Sequence, residues 1–429
     1  MTRFSISTAI MMLALGVMTQ AESTSSSACS GDFKAMTQVD LDSVKGCQVF
    51  SGTITIDGSG AEELALAGVE EISGNLVLSG NAGLRTFQAP HLARVKGELR
   101  IVNQTVLGKL QLPMLVETKS LMLSVLPALE HIDFPAHLTS VQDAHIEDTH
   151  APSVEGFVPQ HMHSFALISN NYMKQFDFSS VQDLSGTLHV ASNGHSLDFQ
   201  AKQLVSVEAG DFRNVAQLTL PQLTRVTGDI TFHENDFTQL QLDLVEQIKG
   251  TLTIANNDKL TSTSFQHLVK VGGAFSVGNN TQLTSIDGFP ALNEVDGTVD
   301  MAGNFESYSL PVLQDVRGGM RLQTTSEKIQ CGELEKKLKA DNVVKGTTWS
   351  CGSSMQESQL QPTLGQDGSA AGMSGGTGFG NGIGGGTKGL ANENGKGGSI
   401  HHTEENVALA LNPAAWALVA TAAAVVFGF

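Results

Sequence analysis

Apolar and polar residues alternate along this chain in short runs that recur at near-constant spacing. "IKGTLTIANNDKL" (248–260), "ISGNLVLSGNAGL" (72–84) and "VGGAFSVGNNTQL" (271–283) share one order: apolar residue, glycine, x-apolar-x-apolar, an asparagine corner and a return to leucine. Alternation with period two predicts half-buried strands, so Leu252 and Ile254 point inward and Thr251 and Thr253 outward. The unit is clear around Gly74, Gly97, Gly186, Gly228, Gly250, Gly273, Gly297 and Gly318, and Gly52 opens the series. A longer form, Pro-x-Leu-x-x-Val-x-Gly, begins at Pro90, Pro221, Pro290 and Pro311. Gaps between clear copies are near one period or its multiples, which places weaker coils around Ser120, Asp143, Ser164 and Ala209. A fixed period of about 22 residues marks a solenoid, here of about thirteen coils. The predicted fold is therefore mainly β, a parallel β solenoid over residues 22–352. The weak stretch 118–165 leaves room for a break into two halves.

A single coil cannot bury its own apolar edge, so stability comes from stacked neighbours and the ends need caps. The glycine suits a bend where a side chain would collide with the next coil. Seven positions beyond the glycine slot stand Asn81, Asn171, Asn193, Asn235, Asn257, Asn280 and Asn304. At a corner after a strand, backbone groups lose their ladder partners. An inward amide supplies both a donor and an acceptor to them, and stacked coils let such amides form a ladder.

The two ends of the chain read as addresses. "MTRFSISTAIMMLALGVMTQA" has one basic residue, an apolar run and small residues before Ala21, the pattern of a signal peptide over 1–21. Residues 353–397 are Gly-rich and read as a flexible linker. Beyond them, Gly397-Gly398-Ser399, the polar "IHHTEEN" and an apolar tail to Phe429 form a GPI-attachment signal. Gly397 is the expected lipid acceptor, with Gly398, Asn394 and Asn406 as rivals, and 398–429 is the propeptide. The resulting partner is the plasma membrane through a GPI lipid, with the chain displayed outside the cell. No cytoplasmic partner is expected.

Charge narrows the partners further. Lys+Arg 25 against Asp+Glu 43 gives a net charge of −18, which disfavours nucleic acid and anionic lipid headgroups as partners. Four cysteines allow three connectivities, and the one made of two local pairs, Cys29 with Cys47 and Cys331 with Cys351, is favoured. They flank a long cysteine-free stretch and fall at the ends that need capping. Two Asn-x-Thr sequons, at Asn103 and Asn279, both stand one position before the asparagine slot. If that slot points inward, both acceptors point to solvent on one edge of the rod.

Catalytic chemistry is sparse. Solenoids that cleave glycans need carboxylates gathered on one face, yet the outward strand positions carry mainly Thr, Ser, Asn and single charges, with no aromatic ring for a sugar to stack on. His131, His137, His145, His150, His161 and His163 crowd one region, but their spacing falls where the repeat weakens, and they read as loop residues. No cofactor and no metal site is expected.

The run "CQVFSGTITI" (47–56), with the repeated Val-x-Gly-x-Leu-x-Ile-x-x-Asn and Pro-x-Leu-x-x-Val phrases, resembles the receptor L domain. That is the right-handed solenoid of insulin- and EGF-receptor ectodomains. With the two end signals, the chain is more similar to the fungal GPI-anchored cell-wall proteins of the extracellular-mutant and sporulation-specific family. The resemblance covers about residues 29–352. It implies a non-enzymatic glycoprotein of cell-wall organisation and integrity, with wall glucan or glycoproteins as partners. The alternative is a ligand-binding adhesion or co-receptor ectodomain. The chain departs from that pattern in its Gly-rich stretch, where a Ser/Thr-rich stalk is expected.

Overall fold

A computed structural model of the protein describes residues 29–364. Each repeat folds as one coil of a parallel β solenoid, with about 13 turns spaced ~22 residues apart. In the coil of Gly250, Gln247–Ile248 runs up to the glycine bend and Leu252–Ala255 follows it. After the corner, Ser262–Ser264 forms a third short strand. Leu252 pairs with Ile230 on one side and Phe275 on the other, both in parallel, so equivalent inward residues stack coil on coil. At the standard strand spacing the stack is about 60 Å long. Pairing passes through 118–165 without interruption: Ser120 faces Asp143, Asp143 faces Ser164, and Phe165 faces Leu188. The solenoid is continuous there, and the break allowed for in that stretch is absent.

The glycine column is a steric necessity. A Cβ on Gly297 would lie 2.5 Å from the Gly273 carbonyl oxygen, and one on Gly318 would lie 2.5 Å from that of Gly297. This close approach lets the Gly297 N–H donate to Gly273 at 2.9 Å and the Gly318 N–H to Gly297 at 3.0 Å. Coils without a glycine bend one residue earlier than their spacing suggests. Gly186 lies over the His163 carbonyl and the Gly228 N–H donates to Glu208, so His163 and Glu208 hold the slot beside Ser164 and Ala209. The strands bulge to compensate, with register shifts between Thr118 and Ser120 and between Leu184 and Thr187.

Inward positions are filled by Leu, Ile and Val, as the alternation requires, but the middle coils add phenylalanines. Phe165, Phe176, Phe178, Phe199, Phe212 and Phe232 are fully buried. Phe165 and Phe178 approach to 4.7 Å between ring centroids, and Phe212 stacks on Phe232 at 5.4 Å. These large side chains fill the interior of the middle coils and pack on one another from coil to coil.

Both ends are closed. The helix Gln38–Ser43 starts at Thr37, whose side chain accepts the Asp40 N–H while the Asp40 carboxylate accepts the Thr37 N–H. Backbone N–H groups of Met36 and Thr37, with the Thr37 hydroxyl, hold the Asp40 carboxyl below its usual range. Leu41 of this helix is buried against the first coils. The strand Phe33–Ala35 pairs with Ile54–Asp57, and Trp349–Gly352 pairs with Met320–Thr324. Disulfides join Cys29 to Cys47 and Cys331 to Cys351. Each closes a short loop, a constraint worth about 3 kcal/mol in the chain-entropy account.

Candidate functional site

The corner after the broad strand is built from left-handed residues. Asn103, Val125, Asp148, Ser169, Ser192, Asn214, Glu234, Asn256 and Asn279 have φ between 48° and 57°, a conformation asparagine tolerates better than most residues. The residue that follows turns inward. Asn257 is fully buried; its side-chain oxygen accepts the Asn235 N–H at 2.9 Å, and its amide nitrogen donates to the Phe232 carbonyl at 3.0 Å. Asn280 does the same for Asn257 and Ile254, and Asn235 for Val215 and Phe212. Asn81 caps Ser59 and Ile56, and Asn193 caps Asn170 and Leu167.

Two members of the expected set stand elsewhere. Asn171 is exposed and Asn170 is the buried amide, because its coil bends at His163 and shifts the count by one. At Asn304 the strand Val299–Gly303 runs one residue longer. Phe305 therefore takes the inward place, and half-exposed Asn304 donates to the Thr281 carbonyl while accepting from the Thr325 hydroxyl. Gln104 fills the slot in a further coil, fully buried, with its amide nitrogen donating to the Val102 carbonyl.

Asn103 and Asn279 occupy the left-handed position itself and are both exposed. They share one corner of the rod, eight coils apart, or about 38 Å. Glycopeptide mass spectrometry of secreted protein should find N-glycans at both. Deglycosylation should leave the fold intact, because neither side chain enters the core. A glycan at only one site would mean that left-handed geometry alone does not make this corner an acceptor.

The broad sheet presents its outward row between these corners. In register order this row runs Arg100, Met122, His145, Ala166, His189, Asp211 and on to Asp300 and Arg321. Its charges are paired. His189 and Arg213 flank Asp211 at 3.1 and 2.9 Å; burial would raise the Asp211 carboxyl, but these bonds hold it below its usual range. The His145 bond at 3.0 Å keeps Glu147 below its usual range as well. Asp229 goes the other way: burial raises it, although it accepts the Thr251 N–H at 2.6 Å. Thr251 and Thr253, expected to face solvent, are buried.

The last described residues cross this face. Read from the sequence as the start of the linker, 353–364 instead fold back along the rod. Gln361 donates its N–H to the Gln323 side chain at 2.9 Å, and Arg321 donates to the Pro362 carbonyl at 2.7 Å. Asp300 accepts the Leu364 N–H at 3.0 Å, and the Ser276 hydroxyl donates to the Leu364 carbonyl at 2.7 Å. Three residues thus cross two coil spacings, about 10 Å, which requires an extended chain.

The crowded histidines find separate partners. His150 packs at a tilt against Tyr172 with centroids 3.7 Å apart, His161 faces Asp183 at 3.4 Å, and His163 bonds Ser185 at 3.1 Å. His131 and His137 are exposed. Among the described residues no group of His, Cys, Asp and Glu is placed to hold a metal. The signal peptide, Gly397 and its rivals Gly398, Asn394 and Asn406 lie outside the described residues.

The chain is 27% identical to sporulation-specific protein 2 of Saccharomyces cerevisiae over 341 residues, 76% of this chain and 68% of that one. It is 28% identical to a cell surface GPI-anchored protein of Arthroderma benhamiae over 339 residues, 79% and 85% of the two chains. Against the cell wall mannoprotein PST1 of Saccharomyces cerevisiae, identity is 30% over 314 residues, 73% of this chain and 70% of that one. The chain belongs to the Ecm33 and sporulation-specific family. No protein-family profile matches it, and no solved structure does. As an Ecm33-family member it acts outside the cell, at the cell wall and the outer face of the plasma membrane.

Proposed function

We propose that this Ecm33-family chain is a non-enzymatic glycoprotein that supports the organisation and integrity of the fungal cell wall. A GPI lipid, carried at Gly397 in our reading, holds it at the membrane, while the solenoid offers a long, stiff surface to wall glucan or glycoproteins. The observation that carries this reading is the state of the broad face. Glu147, Asp211 and Asp300 are each held by a fixed cation or hydrogen-bond donor, so none of them is poised as a free acid or base. The relatives' names support the same reading, since they describe wall, surface and sporulation proteins and no enzyme. A strain lacking the gene should be hypersensitive to dyes that bind wall polymers, and the wild-type gene should restore resistance. Normal dye resistance in the deletion strain, across vegetative and sporulating cells, would remove the integrity role.

A further inference from the structure

The strap over the broad face is held by a small and chemically uniform set of contacts. Asp300 and Arg321 form a two-pronged pair, Nε to Oδ1 at 2.6 Å and Nη2 to Oδ2 at 2.9 Å, with only 5% and 14% of their side chains exposed. Their charges cancel, so the site favours a neutral occupant. It reads the occupant through two backbone N–H groups and two backbone carbonyls. A further polar contact is Arg321 Nη1 to the Gln361 side-chain oxygen at 3.0 Å. Pro362 lacks an N–H, and only its carbonyl is used, so its fixed φ favours the extended form without leaving a donor unpaired.

We propose that Ser276, Asp300, Arg321 and Gln323 form a binding site for an extended neutral peptide. Residues 361–364, Gln-Pro-Thr-Leu, fill it in cis, and the same segment of a second copy enters when the strap lifts. The second copy is the favoured occupant because the sequence that fits is present on every chain. Exchange of an identical element keeps every contact and adds only the cost of association. A hinge for it exists between Gly352 and Met355, where Ser354 adopts φ 59° and two bonds, to Ser326 and Thr324, hold the turn. Chains confined to one surface meet at raised effective concentration, which offsets that cost.

The probe is a blocked, fluorescent peptide of residues 356–364, titrated against the full chain by anisotropy. In Thr363→Lys, a lysine replaces a side chain only 4% exposed, and burying an unpaired ammonium is prohibitive, so the strap lifts. This variant should bind the probe at least tenfold more tightly than wild type. Pro362→Gly, which only loosens the strap, should shift binding the same way. Adding Asp300→Asn with Arg321→Gln should return Thr363→Lys to the wild-type level, with melting curves unchanged across the set. Equal probe binding by wild type and both strap variants, or binding that survives the double substitution, would overturn the site.

Discussion

Gly297→Ala should disrupt the coils around it although it adds a single methyl group. That methyl would lie 2.5 Å from the Gly273 carbonyl oxygen and 2.6 Å from its carbon, and both belong to backbone held by the Gly297 to Gly273 hydrogen bond. Neither atom can rotate away, so the coils must separate or the bend must open. The expected cost is about 3 kcal/mol or more, at the upper end for a single substitution. A solenoid coil contacts only its neighbours, so the loss should be local. Hydrogen exchange should show protection falling from Gly273 to Gly318 while Ile54 to Ile101 keeps its wild-type rates. Gly332, whose Cβ would meet nothing within 4 Å, is the control, and Gly332→Ala should leave exchange unchanged.

Asn257→Leu should cost a similar amount for a different reason. It keeps the volume but removes an amide that accepts from the backbone and side chain of Asn235 and donates to Phe232 and Asn280. The Asn235 N–H would then be buried without this partner, at about 1–3 kcal/mol, and the Phe232 carbonyl would keep only its ladder bond. Asn256→Gly, at the half-buried left-handed position next to it, keeps the backbone geometry and gives up only side-chain bonds to His233 and Asn279, so it should cost clearly less. Matching losses of melting temperature in the two variants would show that the inward amide is not what holds the corner.

These two sites also show what was legible in the sequence. Gly297 and Asn257 sit where sterics and unmet hydrogen bonds leave one or two residue types workable, so both recur and the period can be read. Where another residue bends the chain, as at His163, the count slips by one, and the slot falls on Asn170 instead of Asn171. Asn304 failed because the strand before it is one residue longer, which no local pattern announced. The left-handed column was half visible in its Asn and Ser residues but hidden by Val125 and Glu234, which tertiary packing forces into the same φ. The phenylalanine column was missed because aromatic content was averaged over the whole chain. The strap was unreadable because "QLQPTL" has no periodicity, and its partners lie between 38 and 88 residues away.

In the proposed function, this solenoid supports the wall by being held in place outside the cell. Complementation of a deletion strain tests it most directly, comparing the whole chain with one that ends at Leu390 and so lacks every candidate lipid-acceptor residue. Resistance to wall-binding dyes should return with the whole chain. It should not return with the truncated chain, even though that chain is secreted and its solenoid is folded. Full resistance restored by the truncated chain from the medium would contradict the claim.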